Sequence, residues 1–247
     1  MSFPLRKKYA ISQSALALFR KCPYAYKLKY IHKCKQMFYD PSILDLGSYV
    51  HDAIDKYYRK RFLTDGTVDD ILIESYDELK KLWDPSLTPE QLKKAYTCLE
   101  NHAQWEYGNL SLGMRTKPFT EQKLKHMGYF GIIDYIDLPR KQVIDWKTGK
   151  KAYLSKDYRM QAHIYRILFE EEFGMDLPYF LFFFLYPNQW RKVTYDSEKQ
   201  KKVGEETDAL KNKLLEAWDT GEFEKCPRTK NACKYCELAY YCQVQGV

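Results

Sequence analysis

Eight consecutive apolar residues, Tyr179-Phe180-Leu181-Phe182-Phe183-Phe184-Leu185-Tyr186, constrain the fold of this chain more than any other stretch. The run is far short of the roughly 20 residues needed to span a bilayer. It is apolar at both alternating positions, so a strand built from it has no face to turn to water and must be covered on both sides. Upstream, Tyr158 to Phe173 has helical spacing, with Met160, Ile164, Ile167 and Leu168 on one side, and stops before Gly174. Earlier still, Phe119 to Leu124, Gly128 to Leu138 and Gln142 to Lys147 read as strands, the last two joined by a Pro139-Arg140-Lys141 turn. An antiparallel meander followed by strand, helix and strand predicts an α/β fold: a mixed β-sheet flanked by helices, with a right-handed parallel crossover.

The first half is predicted to be mostly α. Ser12 to Tyr30 looks helical, anchored by Leu16, Phe19 and Tyr26 and interrupted at Pro23, with Cys22 at the break. Further helices are expected from Leu46 to Phe62, from about Asp69 to Trp83 and from Pro89 to Tyr107, and a last one from about Ser197 to Trp218. Internal repeats and low-complexity linkers are lacking, so the 247 residues are expected to form a single unit. The N-terminal MSFPLRKKYAIS has no apolar core of signal-peptide length, which points to a cytoplasmic protein.

The chemistry-bearing pattern lies in the meander. Side chains two apart on a strand share a face, so Asp145 and Lys147 point one way while Ile144 and Trp146 point into the opposite layer. Asp134, in Gly131-Ile132-Ile133-Asp134, lies on the partner strand, where the short turn lets it approach Asp145. Two crowded carboxylates repel, and a hard divalent cation such as Mg²⁺ or Mn²⁺ relieves that repulsion. Such an ion polarises a phosphate oxygen and acidifies a bound water, while a neighbouring lysine orients the water or offsets charge on phosphorus. An ordinary surface ion pair on a hairpin explains the same residues equally well.

Seven cysteines are present, four of them crowded into the last 22 residues: Cys226, Cys233, Cys236 and Cys242. In a reducing compartment this argues for ligation over disulfides. Cys233-x2-Cys236-x5-Cys242 supplies three thiols, and a fourth would complete a zinc site or a cubane iron–sulfur cluster; the spacing does not choose between them. Cys226 would close the shorter loop, whereas Cys22 is distant. Forty Lys and Arg against 33 Asp and Glu give a formal charge of +7, which favours a polyanionic partner. Lysine, arginine and tyrosine interleave in Lys21 to Lys35 and Tyr57 to Arg61, a mixture suited to phosphate contact plus base stacking, and equally to a solvated helix face.

Gly131-Ile132-Ile133-Asp134 followed by Val143-Ile144-Asp145-Trp146-Lys147-Thr148-Gly149 resembles the core of the PD-(D/E)XK nucleases, in particular the RecB-like branch with its GxxD and DxKTG signatures. Gln161-x3-Tyr165 is similar to that branch's QxxxY motif, and Gly47-x3-His51 to its GxxxH motif, where glycine one turn before the histidine lets another backbone come close. The segment Ser12, Ser14, Leu16, Phe19, Cys22-Pro23 and the C-terminal cysteine spacing look like those of the branch's iron–sulfur members, including the AddB nuclease domain and CRISPR-associated adaptation nucleases. No Pro precedes Asp134, and the second acidic residue is Asp and not Glu; both variants are compatible with the pattern.

The resemblance implies a restriction-endonuclease-like fold with a helical insertion and cluster-bearing ends: 12–34 as cluster-ligand helix, 46–107 as helical region with His51, 117–195 as catalytic sheet and helix, and 197–247 as C-terminal helix and cysteine segment. It implies that His51, Asp134, Asp145 and the main-chain carbonyl of Trp146 hold one or two Mg²⁺ or Mn²⁺ ions, that Lys147 positions the attacking water and that Gln161 supports it. Glu121 sits where the family often carries a Glu. Cys22, Cys233, Cys236 and Cys242 are implied as ligands of a structural [4Fe-4S] cluster, leaving Cys34, Cys98 and Cys226 as free thiols. The implied substrate is DNA, as ends or single strands, in recombination, repair or phage DNA processing, with Tyr165 the best aromatic candidate for contacting it. Rival readings are a non-catalytic DNA-binding module scaffolded by the cluster and a zinc-stabilised nucleic-acid-binding protein.

Overall fold

The computed structural model describes residues 10–34, 41–63, 65–82, 87–113, 116–226, 233 and 236–244. Strand β1 (Ile11–Ser12) runs into helix α1 (Gln13–Lys21), whose first turn is closed by the Ser12 hydroxyl accepting from the Ala15 amide at 3.2 Å. Cys22 stands between α1 and α2 (Pro23–Tyr26): Pro23 opens the new helix, where its missing N–H leaves nothing unsatisfied, and the Cys22 thiol accepts from the Ala25 amide. A π-helical turn, Lys27–Ile31, follows. Helix α3 (Pro41–Lys56) passes into a second π turn, Tyr57–Arg61. Helices α4 (Val68–Lys81) and α5 (Pro89–Ser111) each begin with a capping box, Thr67 with Asp70 and Thr88 with Gln91. Trp83, the expected end of α4, and Lys35 lie outside the described residues.

The second half follows the predicted change of period: β2 (Phe119–His126), β3 (Tyr129–Asp137), β4 (Gln142–Lys147), α6 (Lys156–Phe173), β5 (Tyr179–Phe184), β6 (Gln189–Thr194), α7 (Glu198–Thr220) and α8 (Ala239–Val244). Gly174 ends α6 in the left-handed conformation, φ 61°, as a glycine C-cap should. Two strands escape the sequence pattern. β1 has only two residues, and β6 is an edge strand whose Trp190 stacks on Phe183 at 4.1 Å.

The six strands order as β1-β3-β4-β5-β6, with β2 also on β3. β4 and β5 run parallel and are joined through α6, which is the predicted crossover unit. The sheet separates two cores. Phe180, Phe182 and Phe184 of β5 pack with α1, α6 and α7 on one face. Phe183, with Ile144 and Trp146 of β4, packs with α3, α4 and α5 on the other. Both faces of the apolar run are therefore covered, as its composition demands.

A strand has two edges, and those of β3 are used unequally. β2 takes one edge over nearly its whole length, from His126↔Tyr129 to Phe119↔Ile136. The other is shared: β1 pairs with Tyr129 and Phe130, and β4 pairs with Tyr135, Ile136 and Asp137. Between these pairings, among the described residues, no strand lies along that second edge from Gly131 to Asp134. Helix α6 closes on this opening, and Gly131 is what permits the approach: a Cβ there would lie 2.6 Å from the Tyr165 ring and 2.8 Å from Leu168 Cδ1. Gly131 and Tyr165 are thus two sides of one contact.

Because an aromatic ring cannot swing aside as a flexible side chain can, Gly131→Ala is expected to cost about 1–3 kcal/mol of stability. Urea unfolding of Gly131→Ala, Tyr165→Ala and the double variant checks it, the double costing less than the sum of the singles.

Candidate active site

Several polar groups converge on the opening in the β3 ladder. The Trp146 amide lies beyond the last β3–β4 pair, Tyr135↔Ile144, and donates to Asp134 Oδ2 at 2.7 Å. On the other side of the opening the Ile132 carbonyl accepts from the Tyr165 hydroxyl at 2.6 Å. Two main-chain groups in the gap are thereby satisfied by side chains, as buried backbone must be.

Asp145 is buried beside Asp134. Its Oδ1 accepts from Gln161 Nε2 at 2.5 Å, its Oδ2 is ion-paired with Lys147, and Lys147 Nζ in turn donates to Gln161 Oε1 at 3.1 Å. This triangle joins two adjacent parts of the fold, β4 and the second turn of α6. Burial pushes the Asp145 carboxyl up to about 6; Lys147 opposes that rise and Asp134 adds to it. Burial works against the Lys147 ammonium as well, but Asp145 and Asp134 hold its pKa above the ordinary lysine value, so it stays a cation.

On the far side of Asp134 stands His51 of α3. Its Nδ1 lies 3.4 Å from Asp134 Oδ1 and 3.8 Å from Glu121 Oε1, and one ligand atom from each of the three residues falls within 4.8 Å of the others. Gly47, one turn before His51, brings α3 against the end of β4: a Cβ there would meet Thr148 Oγ1 at 3.4 Å. Burial disfavours the imidazolium, yet the Asp134 carboxylate, with help from Glu121 and Asp145, raises the His51 pKa to about 10.

Glu121 reaches this group through a strained backbone. It faces Asp134 across β2 and β3 but has φ 47°, a left-handed conformation costing a residue with a Cβ about 1–3 kcal/mol. The neighbouring Thr120 is clamped. Its hydroxyl donates to Asp55 Oδ1 at 2.6 Å, and its carbonyl accepts from Arg59 Nη2 at 3.3 Å. Arg59 Nε also bonds Asp55 Oδ1 at 2.7 Å, and Asp55 is one turn beyond His51 on α3. One helix thus presents a candidate ligand and, four residues on, the anchor that holds another.

A family model described as the PD-(D/E)XK nuclease superfamily matches residues 10–243. The chain belongs to that superfamily. No curated protein matches the chain significantly. The matched span includes the whole of the β3–β4 pair, with Asp134, Asp145 and Lys147 at one end of it.

Of the residues singled out from sequence, the structure brings together Asp134, Asp145, Lys147, Gln161, His51 and the main chain of Trp146. The Trp146 indole points away, into the second core against Tyr135, His102, Trp105 and Phe183. Tyr165 is placed differently from expectation. Its ring is 7% exposed, covers Gly131 and is fixed by its bond to Ile132, so the structure gives it a packing position and not an open stacking face. Of the tyrosines in the two interleaved basic stretches, Tyr24, Tyr26, Tyr57 and Tyr58 are buried and Tyr30 is half-buried, and Tyr58 donates to Glu106 at 2.8 Å.

The cysteines fall into two groups. Cys98 is buried in the second core, where burial pushes its thiol up to about 12. Cys22, Cys34, Cys236 and Cys242 pack around Tyr24, Ala25, Leu28 and Leu238, joining the two ends of the chain. Burial raises the Cys236 thiol, with the nearby Cys22 and Cys242 thiols adding to it. The Cys233 thiol is raised too, by desolvation and then by Cys226, Cys22 and Cys236.

Asp55, Arg59 and Thr120 carry no signature and were missed from sequence; the one available signal was the i, i+4 relation of Asp55 to His51. Removing the Thr120 hydroxyl by Thr120→Val is expected to weaken Mn²⁺ binding roughly ten- to a hundredfold, as loss of a group orienting a ligand does. Calorimetric Mn²⁺ titration checks it, with Thr120→Ser retaining near-normal affinity.

Proposed function

We propose that this chain is a metal-dependent DNA nuclease, an exonuclease acting on DNA ends or single strands in recombination, repair or phage DNA processing. The observation that carries the reading is the meeting of His51, Glu121 and Asp134 within 4.8 Å, against an Asp145–Lys147–Gln161 triangle. An imidazole with carboxylate oxygens is a donor set for Mg²⁺ or Mn²⁺, and Asp145 and the Trp146 carbonyl are adjacent oxygen donors. An ion bound there would polarise a phosphate oxygen and lower the pKa of a bound water.

The chain's own groups do the rest. The Trp146 amide fixes Asp134 so that Oδ1 faces His51. Lys147, kept protonated and only 19% exposed, offers its ammonium to the attacking water or to charge developing on the phosphate. Gln161 holds Lys147 and Asp145 in a fixed relation and so keeps the ammonium aimed. The formal charge of +7 suits a polyanionic substrate.

We further propose that Cys22, Cys233, Cys236 and Cys242 hold a [4Fe-4S] cluster. The electrostatic coupling of Cys233 and Cys236 to Cys22, and of Cys236 to Cys242, supports it, as does the packing of Cys22, Cys236 and Cys242 around Leu28 and Leu238 where the chain ends meet. Hydrolysis needs no electron transfer, so the cluster's part is to staple the ends together.

End-labelled single- and double-stranded DNA, incubated with Mg²⁺ or Mn²⁺, should be cut by wild type and be cut roughly a hundredfold or more slowly by Lys147→Ala. EDTA should abolish cutting; cleavage that survives either change would sink the mechanism. For the cluster, Cys236→Ser is expected to lose the brown colour and much thermal stability while Cys226→Ser keeps both. A colourless wild type carrying zinc, or loss of colour at Cys226, would reverse the ligand assignment.

A further inference from the structure

If the chain cuts DNA as proposed, a strand must reach Lys147, and the surface leading there carries residues with no part in the site so far. The loop between β4 and α6 begins at Thr148, against Gly47 of α3, and ends at Ser155, which caps α6 by accepting from the Tyr158 amide at 3.1 Å. Tyr158, in the first turn of α6, lies on the aromatic β5 strand, 5.3 Å from Phe182 and 5.9 Å from Phe184, with Lys147 Nζ 4.9 Å from its ring centre. One step outward along the same loop, the Tyr153 ring stands 6.5 Å from Tyr158 and is 61% exposed. Lys150 and Lys151 are exposed on this loop.

An aromatic ladder therefore runs from the reaction centre to solvent: Phe182, Tyr158, Tyr153. Its inner rungs are fixed by packing, and its outer ring keeps an open face. The other exposed aromatic residues among those described, Tyr96, Tyr107, Phe119 and Tyr240, lie on α5, β2 and α8. Tyr153 alone in that set contacts a ring that itself contacts Lys147.

We propose that Tyr153 is a stacking platform for an unpaired base of single-stranded DNA next to the scissile phosphate, with Lys150 and Lys151 neutralising flanking phosphates. Stacking needs a base face freed from its duplex neighbours, so the platform selects single strands or frayed ends; every base has such a face, so it selects no sequence. Lys150 Nζ lies 3.5 Å from Glu90 Oε1, and both side chains are more than half exposed. Such a pair is weak enough for a phosphate to displace it. The inference rests on the nuclease reading for its substrate and not for its geometry.

The test measures binding apart from cutting. In an Asp134→Asn background, so that DNA survives, affinity is measured for a single-stranded oligonucleotide carrying 2-aminopurine and for a blunt duplex. Tyr153→Ala should weaken single-strand binding roughly five- to a hundredfold and lose 2-aminopurine quenching, while leaving duplex binding within about twofold. Tyr153→Phe should restore both readouts, and Tyr153→Leu neither. Lys151→Ala should lower the salt dependence of binding, which Tyr153→Ala should leave unchanged. Single-strand affinity unaffected by Tyr153→Ala, a leucine as good as phenylalanine, or no single-strand binding at all would overturn the platform. Cleavage by wild type in Mg²⁺ is read separately: stacking without cleavage defeats the nuclease reading alone, and cleavage without a Tyr153 effect defeats the platform alone.

Discussion

A strand inside a sheet that lacks a neighbour along part of one edge must find other partners for its backbone, and this requirement organises the molecule. Over Gly131 to Asp134 the second edge of β3 has neither β1 nor β4 beside it. The partners come from side chains: Asp134 takes the Trp146 amide and Tyr165 takes the Ile132 carbonyl. Either bond alone would be a modest contribution of about 1 kcal/mol. Their larger effect is positional. The first fixes a carboxylate at the mouth of the gap, and the second docks α6 so that Gln161 meets Asp145 and Lys147.

The gap also concentrates charge that a stable core would avoid. Asp134, Asp145 and Glu121 meet one lysine and one histidine, with Asp145 pushed up by burial and His51 raised by its acidic neighbours. Glu121 adds backbone strain, held by the Asp55–Arg59–Thr120 clamp. Crowded acids and a strained backbone lower stability when no cation is present, and the same features favour a bound divalent ion. A chain selected only to fold would gain by losing them.

Much of this was legible in the residues. The alternation in Val143 to Lys147 separates Asp145 and Lys147 from Ile144 and Trp146, and the two cores divide along that line. The fully apolar β5 and the helix before it dictated the parallel crossover. What stayed hidden depends on long-range contact. A positive φ at Glu121 is not a propensity of glutamate, and Asp55 acquires its role only because β2 passes beside α3. Buried and exposed tyrosines look alike in sequence. Tyr165, beside the centre, serves packing, while Tyr153, in an unremarkable lysine-rich loop, keeps an open face. The two residues of β1 are too few to show a period, yet they bound the gap on one side.

We propose that the ladder gap is a cation site made by His51, Glu121 and Asp134. Anomalous X-ray scattering from crystals soaked in Mn²⁺ tests it directly. A manganese peak within bonding distance of all three side chains is the expected result, with Asp145 or the Trp146 carbonyl completing the oxygen donors. A peak that leaves out Asp134 and His51, or no peak in the gap at saturating Mn²⁺, would contradict it.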